Sequence, residues 1–316
     1  MSLMRVGIYG GGSFGVALAK ASLRNGHVVR LRSRRNPFAE GGRPERLEVV
    51  SEDASLADCD LVFLSVPSVH VEGVATELGH HLDGRHYLVH VSRGLVGDAL
   101  HPVSHALRER TPVRRIGCLA GPVSAACLAE GTPGGGIVGT EFPEVADAVR
   151  EAIGGPTLRL YQTEDLVGCE TSSAVVGLLA LALGYALEMG FGPSTAAILM
   201  TRGMAEAARV GVSLGGEERT YAGMAGFGDL LSAVAGDERP EVRLGRAIAR
   251  GRSLEEAARE AKAYVEGVVI ARRIQQHAAR RGLDVPIAET MADLLEGRID
   301  PHGAVTKLMS RKVRRE

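Results

Sequence analysis

The glycine-rich stretch near the start of the chain, Gly10-Gly-Gly-Ser-Phe-Gly15, has the composition of a phosphate-binding turn. Gly10, Gly12 and Gly15 fall at the G-x-G-x-x-G spacing, between an apolar run that ends at Tyr9 and a helical pattern that begins at Val16. In such a turn one glycine makes the sharp bend, the second lets the backbone approach a pyrophosphate, and the third lets helix and strand pack closely. The helix N-terminus then directs N–H groups and a partial positive charge at the phosphates. The pattern therefore predicts a dinucleotide site.

A second group of candidate ligand-binding residues, Arg32-Ser33-Arg34-Arg35, follows the predicted strand at residues 27–31. Sites selective for NAD usually place a carboxylate here to hold the ribose hydroxyls, whereas arginine suits the 2′-phosphate of NADP. The alternative interpretation is a solvated, charged turn. The cluster predicts that NADP(H) is preferred and that NAD(H) is possible.

The elements that must position these residues alternate between strand and helix. Further strands are predicted at residues 60–66, 87–91, 116–120 and 136–139. Three of them end in small-residue turns, at Pro67-Ser68, at Ser92-Arg93-Gly94 and at Gly121-Pro122. This alternation predicts an α/β Rossmann domain, a doubly wound parallel sheet with helices on both faces and a ligand crevice at the carboxyl ends of its strands.

The chain changes character near residue 165. From Cys169 onward it is rich in Ala and Leu, and no strand is predicted. Helices are predicted at residues 170–188, 193–210, 241–249, 254–260, 267–281 and 287–295. We therefore expect two domains, a dinucleotide-binding domain at residues 1–165 and an all-α domain at residues 166–316.

Composition excludes several classes of function. A net charge of -1, from 37 basic and 38 acidic residues, gives no general attraction to nucleic acid or to an anionic membrane. The four cysteines lack a C-x-x-C pair and metal-like spacing, which is typical of reduced thiols in a cytoplasmic protein. No signal peptide is evident, and the longest apolar stretch, at residues 174–187, is too short to span a bilayer. We expect no metal, and the expected partner is a small-molecule substrate.

Several segments resemble one family over almost the whole chain, the cytosolic NAD(P)-dependent glycerol-3-phosphate dehydrogenases. The segments that carry the resemblance are Gly10–Gly15, Val66-Pro67-Ser68, Gly121-Pro122, Thr201–Glu206, Ala225–Leu230, Glu266-Gly267, Pro286-Ile287 and Leu308–Arg311. The resemblance implies a Rossmann domain followed by a helical domain like that of 6-phosphogluconate dehydrogenase, with the substrate in the cleft between them. It also implies a homodimer.

The resemblance implies roles for individual residues. It places Ser13, Phe14, Pro67 and Arg93 at the dinucleotide, Arg34 near its adenosine end, Ala125 near the nicotinamide and Glu266 on the helical domain, reaching back toward it. Substrate contacts are implied for Arg93, Gly121, Asp229 and Arg239. Asp229 and Arg93 are the candidate catalytic residues.

The substrate half departs from the family pattern. Counting along the first helix of the second domain, the family's catalytic lysine and the following asparagine fall on Val176 and Gly177. A second family lysine is Arg93, and the Ser-Arg-Asn that holds the substrate phosphate falls within Arg239-Pro240-Glu241. Substitutes for the missing groups could come from Arg93, Asp229, Arg202 and Glu170, or from the hydroxyls of Thr171, Ser172 and Ser173.

Two interpretations remain. In the first, the chain is an oxidoreductase that passes hydride between a nicotinamide and a small hydroxy or keto substrate, with glycerol 3-phosphate and dihydroxyacetone phosphate as the default pair. In the second, it is a catalytically degenerate NADP(H)-binding protein of the same fold.

Overall fold

The computed structural model describes residues 3–38, 44–235, 239–261 and 266–312, except for the side chain of Glu266. Its N-terminal half is built around an eight-stranded sheet in the order β3-β2-β1-β4-β5-β6-β7-β8. The strands are β1 (Arg5–Tyr9), β2 (Val28–Arg32), β3 (Leu47–Val50), β4 (Leu61–Leu64), β5 (Tyr87–His90), β6 (Arg115–Ala120), β7 (Gly134–Gly139) and β8 (Leu158–Thr163).

The first six strands are parallel, and their carboxyl ends meet at one edge of the sheet. β7 runs antiparallel to β6, and β8 is parallel to β7. The Rossmann fold class is confirmed, but the expectation that the sheet is parallel throughout is wrong at this end. The physical reason is the connection: the short helix after β6 ends at Glu130, and the chain turns back within a few residues instead of crossing over the sheet.

Helices cover both faces of the sheet, as a doubly wound arrangement requires. They are α1 (Ser13–Arg24), α2 (Val71–Gly79), α3 (Val103–Arg110), α4 (Ala125–Glu130) and α5 (Pro143–Ile153). Ile8 and Phe63 belong to the hydrophobic core on one face, and Val62 and Leu64 to the core on the other. Since neighbouring strand residues point to opposite faces, both cores are filled by the same short apolar strands.

The second half is helical throughout its described residues. Its helices are α6 (Leu166–Glu188), α7 (Pro193–Ser213), α8 (Glu218–Ala222), α9 (Asp229–Ala235), α10 (Pro240–Ala249), α11 (Leu254–Ala261), α12 (Glu266–Arg281), α13 (Pro286–Leu295) and α14 (Pro301–Met309). A π-helical turn, Met224–Gly228, precedes α9.

The central helix of this half is α6, which is longer than the sequence predicts. It has 23 residues and contains an 18-residue apolar window with a mean hydropathy of 1.8. By length and composition it could therefore cross a membrane, contrary to the expectation that this apolar stretch is too short. However, 94% of that apolar window is buried inside the protein. A helix that is apolar on all sides and buried in this way is typical of a core helix.

Some elements were not predicted from the sequence. β3 and β8 are the two edge strands of the sheet and have half-exposed patterns, so they lack the continuous apolar run that reveals β4. The short helices α8 and α9 and the terminal α14 also escaped prediction. The division at residue 165 remains a prediction; it lies between the last strand and the start of α6.

Candidate active site

The turn between β1 and α1 has the geometry that a dinucleotide requires. Gly10 has φ +120°, and a Cβ there would lie 2.1 Å from the carbonyl oxygen of Ser65. A Cβ at Gly15 would lie 1.9 Å from the carbonyl oxygen of Gly10. At Gly12, the N-cap of α1, nothing lies within 4 Å of the Cβ position. Two glycines are therefore fixed by packing, and the third leaves open space at a helix N-terminus, which fits a pyrophosphate.

The two residues after this turn differ in their surroundings. Ser13 is the first residue of α1 and is exposed beside the open space. Phe14 is half-buried and packs against the core on one face of the sheet. Ser13 is thus placed to meet a ligand, and Phe14 anchors the start of α1.

The arginines at the end of β2 and just after it do not share the same surroundings. Nε of Arg32 donates to Oδ1 of Asp53 at 2.6 Å, and its guanidinium lies 5.0 Å from the centre of the Tyr9 ring. Arg34 and Arg35 are exposed. Ser33 reaches toward the glycine turn, because a Cβ on Gly11 would lie 2.1 Å from its Oγ. Arg32 is therefore committed to an internal ion pair, whereas Ser33 lies against the glycine turn and Arg34 and Arg35 are exposed.

The loops after β4, β5 and β6 meet at the carboxyl edge of the sheet. The Oγ of Ser92 donates to the carbonyl oxygen of Val66 at 2.8 Å, which joins the loop that carries Pro67 to the loop that carries Arg93. Ala125 begins α4, where Ser124 caps the helix by accepting from the N–H of Cys127 at 3.1 Å. The predicted residues Pro67, Arg93 and Ala125 thus follow three neighbouring strands.

Four charged side chains form one network between the two halves of the chain, here called the Asp229 network: Arg93, Asp229, Arg239 and Glu241. Nη1 of Arg93 lies 2.6 Å from Oδ2 of Asp229, and Nη1 of Arg239 lies 3.1 Å from its Oδ1. Nε of Arg239 lies 3.2 Å from Oε2 of Glu241. The side chain of Asp229 is 2% exposed and that of Arg93 is 29% exposed. A buried carboxylate therefore holds two guanidinium groups, one of which reaches the surface.

Backbone packing fixes this network in place. Asp229 begins α9, directly after the π-helical turn Met224–Gly228. Gly121, which follows β6, has φ +89°, and a Cβ there would lie 3.1 Å from the carbonyl oxygen of Met224. Nη2 of Arg93 donates weakly to the carbonyl oxygen of Gly121 at 3.5 Å. The sheet edge thus packs directly against the turn that positions Asp229.

The middle of α6 lies beside the same network. Val176 is fully buried within the helical core. A Cβ on Gly177 would lie 3.7 Å from Oε1 of Glu241, and a Cβ on Gly267 would lie 3.7 Å from the carbonyl oxygen of Gly177. The space beside Gly177 is therefore bordered by a carboxylate from α10 and by the first turn of α12.

Sequence and structure comparisons identify the family. The N-terminal family model of NAD-dependent glycerol-3-phosphate dehydrogenase matches residues 42–146, and the C-terminal model matches residues 165–306. The glycerol-3-phosphate dehydrogenase [NAD(P)+] of Caulobacter vibrioides is 31% identical over 330 residues, which covers 100% of both chains. That of Aromatoleum aromaticum is 34% identical and covers 99% of this chain and 100% of the relative. The chain belongs to the NAD-dependent glycerol-3-phosphate dehydrogenase family.

Solved structures of the family share the fold. The glycerol-3-phosphate dehydrogenase of Coxiella burnetii superimposes with a TM-score of 0.90 at 25% identity, covering 98% of this chain and 99% of that one. The yeast enzyme gives a TM-score of 0.83 at 19% identity. The resemblance stated from the motifs is confirmed. The family is one of NAD(P)-dependent oxidoreductases that act on CH–OH groups, and the glycine turn has the geometry for their nicotinamide cofactor.

Two of the alternative proton donors on α6, Glu170 and Thr171, are occupied within the protein. Glu170 is buried and accepts from the N–H and the Oγ of Ser104, each at 2.7 Å, and its Oε1 lies 2.9 Å from Nε2 of His90. Thr171 hydrogen-bonds the hydroxyl of Tyr221. Ser172 and Ser173 are buried, and Arg202 lies exposed on α7. Glu170 therefore ties α6 to α3 and β5.

One set of contacts could not be predicted from the sequence, and one predicted side chain cannot be placed in the structure. The Glu170–His90–Ser104 contacts could not be predicted from the sequence, because their partners lie on three separate elements and no local spacing reveals them. Glu266 begins α12, but its side chain lies outside the described part of the structure, so its predicted role stays a prediction.

Proposed function

We propose that this chain is an NADP(H)-preferring oxidoreductase that acts on a small hydroxy or keto substrate and is a weak catalyst for glycerol 3-phosphate and dihydroxyacetone phosphate. The Asp229 network carries the proposal, since it lies at the carboxyl edge of the sheet that also bears the glycine turn. When bound, the nicotinamide supplies or accepts the hydride. The residues of the chain bind and orient the substrate.

Arg93 and Asp229 have distinct roles in this proposal. Arg93 donates hydrogen bonds to the carbonyl oxygen or to an anionic group of the substrate, because its side chain is partly exposed. Asp229 holds the guanidinium of Arg93 in position, and Arg239 balances its remaining charge. Gly121 borders the same space through its backbone. Arg93 cannot release a proton near neutral pH, so it aids binding more than proton transfer.

The weak activity is expected from the residue types in the middle of α6. If Val176 replaces the catalytic lysine of the family, the proton donor beside the carbonyl oxygen is lost. A lost general acid typically lowers the rate by about 10²–10⁴. The phosphate-binding sequence is altered as well, and the charge of Arg239 is already shared by Asp229 and Glu241. Substrate binding should therefore weaken together with turnover.

The cofactor preference rests on Ser33, Arg34 and Arg35. Each charge-assisted contact to a 2′-phosphate could contribute about 1.5–3 kcal/mol, less where solvent screens it. Calorimetric titration should give tighter binding of NADPH than of NADH. Changing Arg34 and Arg35 to Ala should weaken NADPH binding at least about tenfold and leave NADH unchanged, whereas Arg159→Ala, an exposed change on β8, should alter neither. Equal or tighter binding of NADH by the native chain would overturn the preference.

A catalytically degenerate binding protein is the second candidate. It is favoured by the complete burial of Val176 and by the pairing of every charge in the Asp229 network. Substrate-dependent oxidation of NADPH across a panel of small ketones separates the two candidates. Turnover of any ketone supports the oxidoreductase, and tight NADPH binding without any turnover supports the binding protein.

We also propose that the protein is a cytoplasmic homodimer joined through its helical half. The support is the family resemblance, together with exposed apolar side chains on that half, among them Ile198 and Leu231. Light scattering at micromolar concentration tests this, and the mass of a single chain would contradict it.

A further inference from the structure

A cavity of about 550 Å³, separate from the candidate active site, opens where α3 meets the ends of α7 and α12. It shares no lining residue with the glycine turn or with the Asp229 network. Six of its lining side chains are arginine or histidine: His101, His105, Arg108, His277, Arg280 and Arg281. The volume falls within the range of roughly 300–1,000 Å³ that small-molecule sites occupy.

The positive charge of this cavity is only partly neutralised. Arg108 pairs with Glu141 at 2.5 Å, and Nδ1 of His105 lies 3.7 Å from Oε2 of Glu109. Arg280 donates to the backbone oxygen of Asp98 at 3.5 Å. Within the part of the chain that the structure describes, no carboxylate forms an ion pair with Arg280 or Arg281. Two guanidinium groups at the end of α12 therefore face the cavity with their charge uncompensated by ion pairs.

The charge of these two arginines affects a buried histidine in the cavity wall. His277 is 5% exposed, and its Nε2 lies 2.8 Å from the Oγ of Ser213. Burial lowers the pKa of His277, and the charges of Arg281 and Arg280 lower it further. The guanidinium groups and the buried imidazole therefore line the same cavity and interact electrostatically.

The remaining wall is apolar and partly strained. Leu100, Pro102, Val167 and Leu214 contribute to it. Leu100 has φ +58°, a left-handed conformation that is unfavourable for a bulky side chain, yet the residue is fully buried. Strained residues of this kind persist only where the surrounding structure holds them, and they are concentrated at binding sites.

We propose that this cavity is a regulatory binding site for a small organic anion, one with a phosphate or comparable doubly charged group and a small apolar body. The charged group meets Arg280 and Arg281, and the apolar body lies against Leu100 and Leu214. The walls come from both halves of the protein, α3 on one side and α7 and α12 on the other. A ligand there joins the two halves.

The cavity is also connected to the candidate active site through one loop. The segment that follows β5 carries Arg93 at its start and reaches the cavity at residues 99–102. Nη1 of Arg273, on α12, donates to the carbonyl oxygen of Leu95 within this segment at 3.2 Å. An anion bound by α12 and this loop therefore restrains the segment that positions Arg93.

Calorimetric titration with phenyl phosphate tests the proposal, with inorganic phosphate as the probe without an apolar body. We expect saturable binding of one phenyl phosphate per chain, tighter than that of inorganic phosphate. Changing Arg280 and Arg281 together to Ala should weaken it at least about tenfold. The matched control is Arg272→Ala, an exposed change on the same helix outside the cavity, which should bind as the native chain does.

A second variant blocks the space without altering charge. Ala99→Trp places a large side chain at the exposed rim, so binding should be lost although every arginine remains. Absence of saturable binding by the native chain would overturn the proposal. So would unchanged binding in either cavity variant, or loss of binding on changing Arg34 and Arg35 instead, since the anion would then occupy the cofactor site.

Discussion

At the glycine turn, single residues are distinguished by the backbone contacts around them. The three glycines at the motif positions look alike in sequence, yet a Cβ would collide with backbone at Gly10 and Gly15 and meet nothing at Gly12. The spacing predicts the turn, but only the structure separates the glycines required for folding from the one required for ligand approach.

That difference predicts opposite phenotypes for two alanine substitutions. Gly15→Ala should destabilise the fold, because its Cβ would lie 1.9 Å from a backbone oxygen that cannot move away cheaply. Gly12→Ala should leave the melting temperature nearly unchanged and weaken NADPH binding, because the new methyl group occupies the approach to α1. Thermal unfolding and calorimetry measure the two effects. A stable, cofactor-binding Gly15→Ala protein would contradict this division.

Asp229 is the residue on which the charge balance of the active site depends. Asp229→Asn should lower the free energy of unfolding by about 3 kcal/mol, because it leaves Arg93 and Arg239 together without their shared carboxylate. The KM for any ketone substrate should rise, since Arg93 loses its orientation. Urea unfolding and steady-state kinetics measure the two effects.

The matched control for this change is Asp98→Asn. The side chain of Asp98 is 94% exposed although it pairs with Arg273, so its replacement should cost well under about 1 kcal/mol. Equal losses of stability in the two variants would show that the burial of Asp229 contributes nothing.

At the scale of elements, the packing of the helical half depends on the close approach of two helix backbones, those of α6 and α10. A Cβ on Gly184 of α6 would lie 2.1 Å from the carbonyl oxygen of Val242, and a Cβ on Gly245 of α10 would lie 2.0 Å from that of Leu181. This close approach of α6 and α10 brings Glu241 beside Gly177. The helices themselves follow from their apolar periodicity, but the distance between them does not.

A buried carboxylate joins two other helices and gives stability a pH dependence. Glu206 on α7 accepts from the N–H groups of Ile287 and Ala288 at the start of α13, at 2.6 and 3.1 Å. Burial raises the pKa of Glu206 to about 7 from its ordinary value of 4.5, although the two N–H donors lower it. The folded chain therefore keeps a proton that the unfolded chain releases at lower pH.

The sign of this effect is definite. The stabilisation is fully present below about pH 4.5 and is lost as the pH rises to about 7, a change of about 3 kcal/mol. Glu206→Gln cannot ionise, so its free energy of unfolding should change less between pH 5 and pH 7.5 than that of the native chain. Glu255→Gln, an exposed change on α11, should follow the native profile. Parallel profiles for the native chain and Glu206→Gln would refute the assignment.

At the scale of the whole molecule, the order of motifs predicts the architecture well. The Rossmann sheet, the helical second half and the family follow from glycine spacing, short apolar strands and a few scattered motifs. The antiparallel β7 could not be predicted, because its apolar pattern is the same in either direction. The same limit applies to the site: the motif identifies Asp229, but its pairing with both Arg93 and Arg239 depends on contacts between distant segments.

Sequence alone likewise does not show what surrounds the position of the missing lysine. Counting places Val176 at the lysine position, and the structure adds that this side chain is fully buried in the helical core. The space bordered by Glu241 lies beside its neighbour, Gly177. Restoring a lysine there requires room and a neighbour of suitable charge. The double change Val176→Lys with Gly177→Asn restores both family residues, and Val176→Met is a control of similar length without the amine.

Steady-state reduction of dihydroxyacetone phosphate by NADPH, for the native chain and these variants, tests the central claim most directly. We expect native turnover about 10²–10⁴ below that of a typical enzyme, a gain in the double variant, and no gain in Val176→Met. Native turnover within the usual range of about 1–10³ s⁻¹ would show that another residue supplies the proton and would contradict the claim.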